Sequence, residues 1–88
     1  MHKKLLLIVN PVAGKMRIKG ALMDVIRIFA EGGFAVTVMV TNRRGDASEF
    51  AGAGAEYDLI VCCGGDGTLN EVISGMLKAG VSIPLGYI

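Results

Sequence analysis

Four short apolar runs, Leu5–Val9, Ala35–Val40, Leu59–Cys63 and Ile83–Tyr87, alternate along the chain with segments whose apolar residues recur at helical spacing. Continuous runs of this kind predict parallel strands covered on both faces. Between the first two, Ile18, Leu22, Val25, Ile26 and Phe29 share one side of a helix, while Asp24, Arg27 and Glu31 fall on the other, and Gly32 and Gly33 end it. After the third run, Leu69, Val72, Ile73, Met76 and Leu77 repeat the same period, with Gly80 as the stop. The stretch from Ala47 to Glu56 is a poorer helix former, because Gly52 and Gly54 each cost about 1 kcal/mol relative to Ala inside a helix. Asp46 with Glu49 three positions later offers a cap for its start. The order βαβαβαβ predicts an α/β fold, a three-layer α/β/α unit on a parallel sheet with right-handed crossovers.

Composition adds a size limit. The 88 residues make one small domain, and such a chain buries only about 60% of its unfolded surface. Yet 52% of the residues are hydrophobic, mean hydropathy is +0.55, and VSIPLGYI reads as a strand with no helix after it. Residues 1–88 are therefore expected to be the leading part of a larger unit. A net charge of +1 gives no global field to recruit nucleic acid. The opening MHKKLLLIVNPVAG has apolar residues only from Leu5 to Val9, short of the about 7–15 of a secretory segment. No run approaches the about 18 apolar residues of a membrane span. These features predict a soluble, cytoplasmic chain. Cys62 and Cys63 fit neither a zinc spacing nor a CxxC pair and are expected as core thiols. An unfinished sheet edge makes a homo-oligomer a further expectation.

The chemistry is expected where parallel strands end, because ligands bind beyond their carboxyl ends. The loops there are NPVAGKMRIKG, TNRRGDA and GGDGTLN. Gly64, Gly65 and Gly67 are expected to allow positive φ and close backbone approach. A helix starting near Thr68 adds about half a positive charge, and phosphate is the natural guest. A purely structural alternative stands beside this: Thr68 and Glu71 form T-x-x-E, a capping box, on a tight turn. Walker A aligned on Gly14-Lys15 fails twice, with Val9 for the first Gly and Met16 for the Ser or Thr. The Rossmann fingerprint fails at Asn70. Asp66 is the anomaly, since a carboxylate about 4 Å from a phosphate charge is repelled by about 4 kcal/mol at an effective dielectric of 20. It holds Mg²⁺, accepts a proton or hydrogen bond from an attacking hydroxyl, or is a favourable acid at a helix start. The first two imply phosphoryl transfer.

GGDGTLNEV from Gly64 to Val72 resembles the signature of the diacylglycerol kinase catalytic domain family, which includes bacterial diacylglycerol kinases and sphingosine kinases. NPVAGK from Asn10 to Lys15, and Thr41 followed by Gly45-Asp46-Ala47, stand in the same order. GGDG alone is shared with NAD kinases and phosphofructokinases. The resemblance implies an NAD kinase/diacylglycerol kinase-like N-terminal domain, with residues 1–88 a partial ATP-binding domain and a β-rich C-terminal domain absent. It implies an ATP-dependent lipid kinase of phospholipid biosynthesis that phosphorylates a lipid hydroxyl, diacylglycerol first among candidates, with Mg²⁺ as the metal. Asn10, Thr41, Gly64, Gly65, Asp66, Gly67, Thr68, Leu69 and Asn70 would contact ATP, with Asp66 catalytic or holding Mg²⁺ and with Lys15 and Glu71 in support. By their place on the rim loops, Lys15, Arg17, Lys19, Arg43 and Arg44 either meet phosphates or anionic lipid heads at the inner membrane face or form a solvated loop face, the two readings standing equal. The segment between Ala47 and Tyr57 is shorter than usual in the family. The rival readings are an NAD kinase-like enzyme and a non-catalytic nucleotide-binding or interaction module.

Overall fold

The computed structural model describes residues 2–12 and 17–88, apart from the side chains of residues 17–19. Its elements run β1 (Lys3–Val9), α1 (Arg17–Glu31), β2 (Phe34–Val40), α2 (Asp46–Gly52), a 3-10 turn (Gly54–Glu56), β3 (Leu59–Cys63), α3 (Asp66–Ala79) and β4 (Leu85–Tyr87). The strands form one sheet in the order β2-β1-β3-β4, and every pair is parallel.

Alternate residues of a strand point to opposite faces, so each apolar run of the central strands feeds two cores. Leu6, Ile8, Ile60 and Cys62 pack on one face against Ala47 and Ala51 of α2 and Val72 and Met76 of α3. Leu5, Leu7, Val9, Val61 and Cys63 pack on the other against Leu22, Ile26 and Phe29 of α1. The result is the three-layer α/β/α arrangement that the pattern predicts. Each such side chain, fully buried, contributes about 1.5–3 kcal/mol. The Phe29 and Phe34 rings meet edge to face at 6.1 Å, fixing α1 over the start of β2.

β2 departs from expectation. It lies at the sheet edge, where Ala35, Thr37 and Met39 are exposed and only Phe34, Val36 and Val38 join the core under α1. A continuous apolar run therefore means burial on both faces only in β1 and β3. The α3 stripe is also narrower than its sequence: Ile73 and Leu77 are 40% and 77% exposed.

Glycine explains the short α2. A Cβ on Gly75 of α3 would run into the backbone carbonyl of Ser48, and one on Gly54 would lie 2.7 Å from Ile60 Cδ1. Gly54, which weakens this segment as a helix, lets it seat closely on the sheet, and Gly75 on α3 makes room for α2, whereas a Cβ on Gly52 would meet only ordinary contacts at 3.5 Å and beyond. At the other ends, Gly33 follows α1 at φ 97° and Gly80 closes α3 at φ 70°, both left-handed values that favour glycine. No helix among the described residues is long and apolar enough to cross a membrane.

Candidate functional site

β1, β2 and β3 end level. Val9 pairs with Val40 on one side and with Cys63 on the other. The ladder continues one step, with Thr41 N–H donating to the Val9 carbonyl at 2.9 Å and Asn10 N–H to the Cys63 carbonyl at 2.9 Å. Asn10, Thr41 and Gly64 are thus the first residues beyond three adjacent strands and stand side by side. Over them opens a cavity of about 520 Å³, whose walls include Asn10, Thr41, Arg43, Gly65, Thr68 and Glu71.

α3 begins at Asp66, two residues earlier than expected, with Gly65 as an extended N-cap and no side-chain cap. Its first helical bond runs from Leu69 N–H to the Gly65 carbonyl at 3.1 Å. The amides of Asp66, Gly67 and Thr68 therefore have no helical acceptor, at the end where the helix dipole is positive. The early start also dissolves the capping box. Thr68 and Glu71 now lie inside the helix, three apart on one face, and both reach to other loops. Asn10 Nδ2 donates to Thr68 Oγ1 at 2.9 Å, and Gly45 N–H donates to Glu71 Oε1 at 3.0 Å. Asn10 Oδ1 in turn accepts from Val12 N–H at 3.1 Å, which fixes the start of the first loop.

The glycines act differently from expectation. Among the described residues, positive φ occurs at Gly33, Gly45 and Gly80, and not at Gly64, Gly65 or Gly67. Gly64 is needed for space: a Cβ there would lie 2.9 Å from Thr68 Oγ1 and 3.2 Å from Asn10 Cβ. The left-handed position is Gly45, at φ 95°, where the second loop turns into α2. Asp46 does not cap that helix; its Oδ2 accepts from Asn42 N–H at 2.7 Å and Arg43 N–H at 3.1 Å, closing the turn on itself.

The charges are distributed unevenly. Arg43 and Arg44 line the cavity and form no ion pair among the described residues, whereas Arg27 engages Asp24 and Glu31. Asp66 is exposed and is not among the lining residues; its Oδ1 accepts from the Tyr87 hydroxyl of β4 at 3.4 Å. Desolvation, and then the Asp66 carboxylate, push the Tyr87 phenol up. Of the other expected contacts, Gly65, Gly67, Thr68 and Glu71 line the cavity with Asn10 and Thr41. Leu69 packs into the core and Asn70 is exposed. Lys15 and the side chains of Arg17 and Lys19 lie outside the described residues. Pro11, Val12, Asn42 and Ala47 also line the cavity; only the level strand ends, which composition does not reveal, bring them there.

Cys62 and Cys63 point to opposite faces of the sheet and are buried. Burial, with Cys63 as a lesser cause, pushes the Cys62 thiol up to about 11, so it holds little thiolate at neutral pH. No three His, Cys, Asp or Glu side chains gather as a metal site among the described residues. A magnesium ion carried by a polyphosphate needs only one or two protein carboxylates, and the exposed Asp66 beside the turn fits that requirement.

The fold is a parallel α/β sheet with its candidate site at the carboxyl edge, where three loops, the first amides of α3 and two guanidiniums without an ion pair among the described residues meet. The family model for the diacylglycerol kinase catalytic domain matches residues 4–88, and the chain belongs to that family. Over 90 residues it is 39% identical to a diacylglycerol kinase of Staphylococcus saprophyticus, covering 100% of this chain and 30% of the relative. Over 88 residues it is 36% identical to one from Bacillus subtilis, covering 98% of this chain and 29% of the relative. A crystal structure of a diacylglycerol kinase from Bacillus anthracis superposes with a TM-score of 0.86 at 33% identity, over 98% of this chain and 32% of that one. The chain thus spans about 30% of the length of the curated relatives it matches.

Proposed function

We propose that this chain forms the nucleotide-binding part of an ATP-dependent lipid kinase, which transfers the γ-phosphate of ATP to a lipid hydroxyl, diacylglycerol being the first candidate. The observation that carries the reading is the convergence of three strand ends on one cavity, walled by the α3 turn on one side and by Arg43 and Arg44 on the other. A polyphosphate matches both walls. The amides of Asp66, Gly67 and Thr68 offer hydrogen bonds at a positive helix end, and guanidiniums pair with phosphate oxygens in a bidentate manner. Asn10 and Thr41 line the same cavity, and on this reading they would meet the remainder of the nucleotide. Membership of the diacylglycerol kinase family supports the lipid acceptor over NAD.

In the transfer, the acceptor oxygen bonds to the γ-phosphorus as the bridging P–O bond breaks and ADP leaves. The hydroxyl proton passes to a base, and Asp66 is the residue we assign to that role. Asp66 would also hold Mg²⁺, which when bound with ATP neutralises charge on the phosphates. The loops of this chain contribute positioning, the main protein contribution in such reactions. Because lipid acceptors lie in a membrane, the reading places the working enzyme at its surface.

The test is label transfer from γ-labelled ATP by the full-length protein, with diacylglycerol in mixed micelles and NAD as the alternative acceptor. Label in the lipid, falling at least about tenfold in Asp66→Asn, is expected from the loss of a general base. Label in NAD alone would remove the lipid proposal, and full activity in Asp66→Asn would remove Asp66 from the mechanism.

A further inference from the structure

We infer that Glu71 is a positioning residue, whose carboxylate holds the Asn42–Gly45 turn in place and thereby sets Arg43 and Arg44 at the rim of the cavity. The inference rests on the nucleotide reading above and adds the means by which one wall of that site is registered against the other.

The turn needs an external anchor. Its own bonds are local: Asp46 Oδ2 accepts from Asn42 and Arg43, and Asp46 N–H donates to the Arg43 carbonyl at 3.2 Å. These fix its shape; its ends are held by Thr41, whose N–H donates to the Val9 carbonyl, and by α2, packed on the sheet through Ala47 and Ala51, and a contact from outside is left to fix Asn42–Gly45 between them. It leads into a helix of only seven residues whose N-cap, Gly45, sits at a left-handed φ with no side-chain cap. Among the described residues, the one hydrogen bond that ties residues 42–45 to an element other than the adjoining α2 is the 3.0 Å bond from Gly45 N–H to Glu71 Oε1, across 26 positions of sequence. Glu71 stands one helical turn beyond Thr68 on α3, the helix whose first amides form the opposite wall.

The arrangement also directs charge. Glu71 lines the same cavity as Arg43 and Arg44, yet its carboxylate is bonded to a backbone amide and makes no ion pair with either among the described residues. The guanidiniums are left to an anionic ligand. What the turn requires of residue 71 is an acceptor at the end of a side chain of this length, not a negative charge. Glutamine supplies the same acceptor without the charge, and this separates positioning from a direct role on metal or nucleotide.

The experiment is calorimetry with Mg-ATP on the full-length protein and its Glu71→Gln and Glu71→Ala variants, with thermal melts and hydrogen exchange at the Gly45 amide. Loss of one such bond predicts binding weaker by about tenfold in Glu71→Ala, with fast Gly45 exchange. Glu71→Gln should stay within about twofold of wild type with the amide protected, since its acceptor is retained. Glu71→Gln as weak as Glu71→Ala, with Gly45 still protected, overturns positioning in favour of a charge contact. Unchanged binding in Glu71→Ala overturns any role. A folded wild type that takes up no Mg-ATP instead overturns the nucleotide reading, and the positioning role with it.

Discussion

Gly64 shows how one missing side chain can support a whole site. The Asn10–Thr68 hydrogen bond passes so close to it that a methyl group would meet Thr68 Oγ1 at 2.9 Å and Thr68 Cβ at 3.0 Å. Thr68 Cβ belongs to a helix and cannot swing aside as a flexible tip would. Gly64→Ala is therefore expected to destabilise the protein by about 1–3 kcal/mol through overpacking, which for a domain of this size lowers the melting temperature by about 4–8 °C per kcal/mol. Gly67 is the control: nothing lies within 4 Å of its added Cβ and it sits in the first turn of α3, so alanine there should be neutral or stabilise by up to about 1 kcal/mol. Thermal melts of the two variants check this, and equal midpoints would contradict it. At this scale the sequence pointed to the candidate turn but not to how that turn is built. Three glycines within four residues suggested positive φ at the turn, whereas steric crowding at Gly64 and the left-handed Gly45 carry those requirements. T-x-x-E looked like a cap because local spacing cannot reveal that the helix begins at Asp66.

Among the elements, the α2–α3 contact links packing to the site. α2 is only seven residues long and follows directly from the turn that carries Arg43 and Arg44. Its seat is the groove at Gly75, where a Cβ would run into the Ser48 carbonyl. Gly75→Ala leaves the local helix propensity better, yet must push α2 outward; a stability loss of about 1–3 kcal/mol is expected, measured by urea unfolding. A gain in stability would show that α2 is not held there. Strand positions were legible from the apolar runs because β1 and β3 are buried on both faces. The edge position of β2 was not, since an exposed strand and a covered one can share the composition of FAVTVMV. The weakness of the second helix was legible, since α2 ends at Gly52 and Gly54 opens a 3-10 turn, but the close approach of Gly54 to Ile60 was not.

On the scale of the whole molecule, the site is a consequence of strand register. Val9, Val40 and Cys63 finish side by side, so three loops distant in sequence open on one cavity, and two side-chain bonds from α3, at Thr68 and Glu71, tie the first and second loops to the third. The most direct measurement of the central claim is a titration of the isotope-labelled protein with Mg-ATP, followed by amide resonances. Saturable shifts at Asp66, Gly67 and Thr68, with Thr41 and Arg43 moving in step, are the predicted result. Shifts confined to the groove between Met39, Phe50 and Tyr57 on the α2 side of the sheet, with the α3 turn silent, would contradict it.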